Sequence, residues 1–520
     1  MKKSLSIAGI IMILALVVST VASPALAAPR SVGNPLRVAV YISTGVNSDK
    51  IMATMRAVQA MGFDMYGIGR NDIKQGRLTT ANFDVLLLPA GEADLKTAYA
   101  SIDGLDQVTT KNNIKAFVND GGGVVALESA AYYVSYNGGT LDLYLGNYTR
   151  TGAAGKNTIT ITDSTFGSGT QELYRTAGGG YFALPSGATQ VAKNSANQTV
   201  IARVAYGAGR VVVCSLDPEL RGDSELDWSI WDNWAMSNSQ TNSVGAWKLL
   251  GRMINWAGTG TATEPTITTY ANPTGSRVAI VSTHTNDGGA WAGLLPGVYR
   301  AVEYSGHIPL AIRFNEVNGG QLTLTNFKVV ILPGGYSYGY KTGLGTTGGT
   351  NIKDFATSGG GVMGVCAGSY YLSDDIVWEG KTYDYLDFFL GVDTGPLDGL
   401  GYPSYTLTTT HINDSVIGIT NTDQKQMYYG GGYKTDLAAS NATMVASYTD
   451  SGYEGQANAI RFMYGSGHVL LVGTHPESRS GSNEDWMYWD NWVNESTTPL
   501  TNPDNPWTFY NAVLDNWLTQ

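Results

Sequence analysis

The segment GVMGVCAGSYYLS, residues 361–373, places a cysteine, Cys366, between small residues and directly before a stretch with helical character. At a tight turn from strand to helix a side chain is pushed out of the sheet edge, and Gly364, Ala367 and Gly368 let the backbone turn without clashes. The N–H groups at the start of the following helix favour a thiolate. Cys366 is therefore predicted to be an exposed nucleophile. The alternative is a small cysteine that is simply buried at a strand end.

A histidine and a carboxylate follow a second apolar run in the sequence. His475 comes directly after GHVLLVG, a predicted strand, and Glu477 lies two residues further on. A cysteine, a histidine and a carboxylate that orients the histidine are the parts of a nucleophilic triad. The pattern predicts that Cys366 acts as nucleophile, His475 as base and Glu477 as the group that orients His475.

The elements around these residues occur twice along the chain. The segment GGGVVALESAAYYVS at 121–135 matches residues 359–373 without a gap, and residues 217–234 match 475–492. We predict two tandem domains, 35–258 and 276–520, joined by a Gly-, Thr- and Pro-rich linker at 259–275. Each copy also carries a tryptophan-rich run, DWSIWDNW or DWMYWDNW, which we interpret as a packing motif rather than a sugar-stacking platform.

Each copy alternates short apolar runs with segments of helical periodicity. FDVLLLPAG and FKVVILPGG are continuous apolar runs, as expected for strands that are buried on both faces of a parallel sheet. Strands that alternate with helices indicate a doubly wound α/β sheet, with the site at the carboxyl ends of its strands.

The order ILPGG, GVCAG and HPE resembles the class I glutamine amidotransferase-like superfamily, and most closely the biotin-protein ligase N-terminal domain-like family. In that family an aromatic pair follows CAG, as in CAGSYY, and a Tyr-Gly-Gly segment like YYGGGY precedes HPE. The resemblance covers about 276–490 well and 37–235 in weakened form. It implies a flavodoxin-like fold in each half, and an oxyanion hole formed by the backbone N–H groups of Gly335 and Ala367.

The sequence departs from glutamine amidotransferases just after the predicted strand-to-helix turn at Cys366. Tyr370 stands where those enzymes usually carry the glutamine that helps to hold their substrate, so glutamine is not the predicted substrate. Tyr336, Tyr370 and Tyr429 are candidate lining residues of the pocket. No cofactor or metal is predicted for this site.

The first copy has lost the residues of the triad. Glu128 occupies the position of Cys366, Asp217 that of His475, and Glu219 that of Glu477. This half is therefore predicted to be inactive in thiol chemistry. Its three carboxylates are interpreted as remnants of a pocket, with a hard-cation site as the alternative. Cys214, on the apolar run RVVVCSL, is predicted to be buried and not to form a bridge with Cys366.

The first residues have the pattern of a secretory signal, with a basic start, an apolar run and a small-residue cleavage site after Ala27. An uncleaved anchor is the alternative. The prediction is an extracellular protein, secreted or at the cell surface, with no membrane association after cleavage.

The composition limits the range of partners. A net charge of −11 and a sequence pI near 5.0 argue against a nucleic-acid partner, because no basic patch is available to release phosphate counterions. The substrate is predicted to be a small molecule or a peptide of unknown identity.

The function predicted from these features is an exported cysteine hydrolase, similar to an amidase, that acts on an amide-type bond. A non-catalytic extracellular or cell-surface binding module is the first alternative, because the chain is duplicated, one copy is inactive and the surface is neutral. A redox role for Cys366 is the second alternative, although no resolving cysteine is near in sequence.

Overall fold

The structure is a computed structural model, and it describes residues 35–520 apart from several internal segments. Those outside the description are 44–45, 47, 92–107, 137–140, 152–154, 176–178, 221–242, 268–273, 283–288, 292, 404 and 480–501. The predicted signal peptide, both tryptophan-rich runs and part of the predicted linker therefore lie outside the described residues. No helix among the described residues is long and apolar enough to cross a bilayer.

The first half forms one sheet with helices on it. Its strands are β1 (Arg37–Tyr41), β2 (Asp64–Ile68), β3 (Val85–Leu88), β4 (Gly123–Leu127), β5 (Tyr148–Arg150), β6 (Gly155–Ile161), β7 (Gly169–Arg175), β8 (Gly180–Phe182), β9 (Thr189–Asn194), β10 (Thr199–Tyr206) and β11 (Gly209–Cys214). Its helices are α1 (Ser48–Ala60), α2 (Arg70–Lys74), α3 (Val108–Asn119), α4 (Glu128–Val134) and α5 (Ser243–Thr259), with a 3₁₀ turn at Ser164–Phe166.

The second half forms a second sheet. Its strands are β12 (Arg277–Val281), β13 (Ile308–Ile312), β14 (Val329–Leu332), β15 (Gly361–Val365), β16 (Ser373–Trp378), β17 (Lys381–Asp384), β18 (Phe389–Gly395), β19 (Thr406–Asp414), β20 (Ile419–Tyr428), β21 (Tyr433–Thr435), β22 (Thr443–Tyr448), β23 (Ala457–Tyr464) and β24 (Gly467–Val472). Its helices are α6 (Leu295–Tyr304), α7 (Phe314–Asn318), α8 (Ser337–Thr357, interrupted at Gly345), α9 (Ala367–Leu372) and α10 (Trp507–Val513), with a 3₁₀ turn at Leu437–Ser440 and a π-helical turn at Leu514–Leu518.

Each sheet has a parallel core of five strands in equivalent order. The order is β2-β1-β3-β4-β11 in the first half and β13-β12-β14-β15-β24 in the second. The first four strands of each core follow the 2-1-3-4 order of flavodoxin-like sheets. β3 and β14, the apolar runs of the sequence, are buried along their whole length. The predicted flavodoxin-like α/β class is confirmed.

Antiparallel strands extend both sheets beyond the parallel core. β10 pairs antiparallel with β11, and β23 pairs antiparallel with β24. In the second half β19 and β20 form a long hairpin whose end leads into Tyr428 and the glycines after it. This extension was not predicted from the sequence, and it carries one wall of the site described below.

Isolated backbone bridges occur at matching places in the two halves. Val46 pairs with Gly91 and Ala290 with Gly335, while Tyr174 pairs with Asp217 and Met427 with His475. Each bridge ties a loop to a position that the sequence alignment of the two copies had matched. The duplication is therefore present in the loops around both sites as well as in the sheets.

The C-terminal helix differs between the halves by one residue. Trp507 and Trp517 are one residue further apart than Trp247 and Trp256 in the first half. The π-helical turn accommodates this residue, because Thr519 N–H bonds to Leu514 O, five residues back, at 3.1 Å. As a result Trp517 still reaches the sheet, where its indole N–H donates to Val469 O at 3.0 Å.

Replacing Trp517 with Phe should lower the free energy of unfolding by about 0.5–1.5 kcal/mol, because the hydrogen bond from its indole N–H to Val469 O is lost. The matched control is Trp256→Phe. Trp256 lies under Arg203 as Trp517 lies under Arg461, but among the described residues its indole donates no hydrogen bond. Chemical denaturation of both variants measures the difference, and an equal loss in both would contradict this account of the π-helical turn.

Candidate active site

Cys366 lies at the sharp turn between β15 and α9. Its backbone has φ 48° and ψ −105°, in a region that residues other than glycine rarely occupy. Its N–H donates to Val472 O on β24 at 2.8 Å, and its carbonyl accepts from Tyr370 N–H at 3.0 Å. Strained backbone of this kind persists only where the surrounding structure holds it, and it concentrates at functional sites.

The prediction that Cys366 is exposed was wrong. Only 7% of the residue is accessible, and its thiol donates to Tyr429 O at 3.4 Å. The turn directs the side chain away from the sheet edge as expected. However, the loop after β20 folds over it, a contact for which the sequence carries no local signal.

His475 and Glu477 form a buried pair beside the cysteine. His475 Nδ1 and Glu477 Oε1 are 2.9 Å apart, and both residues are almost fully buried. The backbone N–H of His475 donates to Met427 O at 2.8 Å. Among the described residues, the second ring nitrogen, Nε2, has no hydrogen-bond partner. It is therefore available to a group in the pocket.

The environment of His475 favours its protonated form. Burial acts to lower the pKa of His475, but negative charge on Cys366 and on Glu477 outweighs burial, so the pKa is raised well above its ordinary value. His475 is therefore placed to donate a proton to a group in the pocket.

A glycine lets the imidazole approach the loop after β14. A Cβ at Gly334 would lie 2.4 Å from His475 Cε1. The next residue, Gly335, has φ 155°, and a Cβ there would lie 1.9 Å from Gly289 O. Both positions therefore require glycine, and together they place the Gly335 backbone at the edge of the pocket.

Cys366 and His475 line one cavity of about 380 Å³. Its wall is largely aromatic, and the predicted Tyr336, Tyr370 and Tyr429 are part of it. The other lining residues are Trp291, Gly335, Ser337, Tyr338, Ala367, Ile376, Trp378, Glu379, Tyr383, Tyr385, Tyr402 and Gly430. Among the lining residues Glu379 is the one carboxylate, and no lysine or arginine contributes.

Much of this wall was not identified from the sequence. Trp378 packs edge-on against Tyr370 and Tyr402, with ring centroids 5.6 and 5.4 Å apart, and Tyr402 continues to Tyr429 at 5.2 Å. These residues come from separate strands and loops that only the folded sheet brings together. No local spacing in the sequence could have grouped them.

Side-chain donors fix the loop that covers Cys366. The hydroxyl of Tyr370 donates to Gly430 O, that of Tyr428 to Gly431 O and that of Tyr448 to Gly432 O, at 2.9 to 3.1 Å. Lys434, buried in an ion pair with Asp393, also donates to Gly432 O at 3.3 Å.

Burial raises the pKa of Asp393 and lowers that of Lys434, which is the cost of desolvating this pair. Neither residue could be identified from the sequence, because an isolated lysine or aspartate on a strand carries no signal of burial.

The first half keeps the strand-to-helix turn but carries Glu128 in place of the cysteine. Glu128 has φ 46°, nearly the value at Cys366. Its carboxylate accepts a hydrogen bond from the N–H of Ser129 at 3.0 Å, and Ser129 is the counterpart of Ala367. In this half a carboxyl oxygen therefore lies beside the first N–H after the turn residue.

The other carboxylates of the first half lie behind Glu128 in a buried cluster. Lys50 Nζ is 4.0 Å from Asp217 Oδ1. Burial, followed by the charge of Asp217, raises the pKa of Glu219 well above its ordinary value. Cys214 ends β11, buried and unbridged.

The hard-cation alternative for this cluster gains no geometric support. In the described part of the chain, the side chains close enough together to share an ion are Asp374, Asp384 and Asp387, at the surface of the second half. Glu128, Asp217 and Glu219 are not among them.

Comparison with known proteins relates the second half to one family. Residues 324–509 match the family model described as biotin-protein ligase, N terminal. These residues carry a biotin-protein ligase N-terminal domain. A biotin--protein ligase of Schizosaccharomyces pombe is 30% identical over 171 residues, which is 30% of this chain. The chain spans only 26% of the length of that ligase.

Two solved structures resemble the chain at low TM-scores. A glutamine amidotransferase from Thermotoga maritima has 13% identity and a TM-score of 0.32, and covers 42% of this chain and 98% of its own. A β-galactosidase from Bacillus circulans has 13% identity and a TM-score of 0.26, and covers 45% of this chain and 32% of its own. At these TM-scores neither structure supports an inference about this chain.

The family match overturns both functions predicted from the sequence. A domain of the biotin-protein ligase N-terminal family, with a biotin--protein ligase as relative, is at odds with an exported cysteine hydrolase and with an extracellular binding module. The triad pattern had indicated a reactive thiol, and amide hydrolysis was inferred from the wider superfamily. That second step was wrong.

Glu477→Gln should lower the pKa of His475, because it removes the carboxylate charge and weakens the bond at Nδ1. A histidine whose folded pKa is raised stabilises the fold fully below about pH 6.5, and this stabilisation is lost as the pH rises through the folded pKa. Wild-type stability should therefore decline with rising pH above about 6.5, and less so in the variant.

Denaturation at a series of pH values tests this prediction. The control is Glu477→Asp, which keeps the carboxylate charge beside His475 and should keep most of the wild-type pH dependence. A variant Glu477→Gln with the wild-type slope would contradict the assigned His475–Glu477 coupling.

Proposed function

We propose that the second half has a biotin-protein ligase-like function, and that its part in it is acyl transfer through a thioester on Cys366. The observation that carries the proposal is the geometry of one pocket. Cys366 on its strained turn and His475 line the same aromatic cavity, and Glu477, buried behind His475, holds the imidazole through Nδ1 at 2.9 Å.

The family supports the choice of reaction. The relative in S. pombe is named for joining biotin to protein, and biotin is a carboxylic acid, so such a reaction transfers an acyl group. The domain in this chain corresponds to a part of that ligase only, which makes the activity a proposal for this chain. A thiol nucleophile with a paired histidine is suited to an acyl-transfer step.

The chemistry follows from the charge state of the pair. The Cys366 thiolate attacks the carbonyl carbon of an activated acyl donor, and the tetrahedral intermediate expels the leaving group. The His475 imidazolium gives that group its proton. A primary amine then attacks the thioester, neutral His475 takes the amine proton, and the thiolate leaves, so that an amide is formed and the thiolate–imidazolium pair is restored.

The oxyanion would be held by the N–H groups of Gly335 and Ala367. The contact in the first half supports this assignment, because the matching N–H of Ser129 already binds a carboxylate oxygen of Glu128 at 3.0 Å. Loss of one such donor typically costs about 10²–10³ in rate. Glu477 acts as a positioning residue that holds the His475 ring.

The cavity suits an apolar acyl group of moderate size. Its volume of about 380 Å³ falls within the range of small-molecule sites, and its wall is mainly aromatic. Cys366 contacts this space while remaining largely shielded from bulk water, which favours transfer to an amine over loss of the thioester to water.

Two predictions from the sequence are not tested by the described residues and stay predictions. Cleavage of a signal peptide after Ala27 and an extracellular location rest on residues 1–34, which lie outside the described part of the chain. The proposed chemistry does not depend on either.

The experiment uses the p-nitrophenyl ester of biotin as acyl donor and N-α-acetyl-lysine amide as acceptor. The wild type should release nitrophenolate in a burst and carry one biotinyl group on Cys366, which hydroxylamine or the amine removes. Cys366→Ala should lose the adduct, and Cys214→Ala, which removes the other cysteine, should keep it. Intact-mass spectrometry measures both.

The acceptor decides between transfer and hydrolysis. Biotinyl-lysine should form at the expense of free biotin as the amine concentration rises. If Cys366 carries no adduct, or if the thioester yields only free biotin at every amine concentration, the proposal fails.

A further inference from the structure

The inactive first half contacts a helix of the second half that packs on the active site. Arg56, on α1 of the first half, is fully buried, and its guanidinium lies 2.7 Å from the carboxylate of Glu303 on α6. Arg300 on α6 bonds to the same carboxylate. Two cations thus hold the carboxylate of Glu303, and one of them comes from the other half.

The same helix packs directly on Glu477. A Cβ at Gly297, in the first turn of α6, would lie only 3.0 Å from the carbonyl oxygen of Glu477 and 3.7 Å from its Cγ. That carbonyl also accepts the indole N–H of Trp507 at 2.6 Å, and the Trp507 ring packs against Tyr304 at the end of α6. The backbone of Glu477 is therefore held between α6 and α10.

The path between the halves is short. Gly297 and Glu303 are six residues apart, or about 9 Å along a helix. A change at Arg56 therefore acts on a rigid element whose other end touches the residue that orients His475.

The helix α1 has the same relation to the site of the first half. Its Lys50 lies 4.0 Å from Asp217, and its Ala53 packs with Tyr174 and Leu220. Because α1 and α6 hold equivalent positions in the two copies and pack on each other, each helix lies between its own site and the other half. The first half lost its nucleophile but kept this contact.

We propose that the first half is a positioning unit for the second, with Arg56 as the positioning residue that fixes α6 and, through α6, Glu477 and the ring of His475. The charged groups at the contact include Arg56 on α1 and Arg300 and Glu303 on α6. The proposal adds a role for the inactive half that the proposed acyl transfer does not require.

The test measures alkylation of Cys366 by iodoacetamide between about pH 5 and 9, in the full chain with Cys214→Ala as background. Arg56→Met should slow alkylation near neutral pH by about 2- to 30-fold and move the rising part of the profile to higher pH. Arg56→Lys, which keeps the charge, should restore part of the rate.

The control removes a comparable ion pair elsewhere in the first half. Arg77 is buried and pairs with Asp72 on α2 at 2.6 Å. Arg77→Met should lower thermal stability but leave the alkylation profile unchanged. A shift of the same size in Arg77→Met would show that general destabilisation, and not positioning, is responsible.

A second variant keeps the proposal falsifiable if Arg56→Met does not fold. Glu303→Gln preserves shape, weakens the same contact from the side of the second half, and should shift the profile in the same direction. A wild-type profile in Arg56→Met, or in Glu303→Gln if the former is unfolded, overturns the proposal. Alkylation needs no acyl donor, so the two proposals are tested separately. The positioning role can be contradicted while acyl transfer holds, and acyl transfer can be contradicted while the positioning role holds.

Discussion

The site depends on a backbone turn that the chain adopts against its local preference. A residue other than glycine at φ 48° costs about 1–3 kcal/mol, so the surrounding contacts must hold Cys366 in place. They include the hydrogen bond from its N–H to β24 and the packing of α9 against β14, where Gly368 lies close to Leu332 O. The same strand, β24, leads three residues later to His475. One set of sheet contacts therefore fixes both members of the pair.

Comparison of the two halves distinguishes the features that belong to the fold from those that belong to the chemistry of the second half. The first half retains the turn, with Glu128 at φ 46°, and the bridge that ties Asp217 to its neighbouring loop. It also retains the bond from a tryptophan indole, here Trp247, to the carbonyl of Glu219. These features belong to the architecture and survive without a nucleophile. What distinguishes the second half is the side chains placed on that architecture and the aromatic cavity in front of them.

The elements that could be predicted from the sequence were those with a local signal. Continuous apolar runs gave the parallel strands, and repeated segments gave the two copies. The burial of Cys366 had no such signal, because the loop that covers it lies more than 60 residues further along the chain. The aromatic wall and the Lys434–Asp393 pair are assembled from separate strands, loops and a helix, and no local pattern specifies how these come together. Function was predicted wrongly, since a reactive thiol alone does not determine what its acyl group is transferred to.

The central claim is that an acyl group on residue 366 places its carbonyl oxygen between the N–H groups of Gly335 and Ala367. A crystal structure of the Cys366→Ser variant after reaction with the p-nitrophenyl ester of biotin tests it most directly, because the oxygen ester of serine is more stable than the thioester. The account predicts a biotinyl ester in the aromatic cavity, with its carbonyl oxygen about 2.7–3.1 Å from both nitrogens and His475 beside it. An ester whose carbonyl oxygen points away from both N–H groups, or a biotinyl group bound outside the cavity, would contradict it.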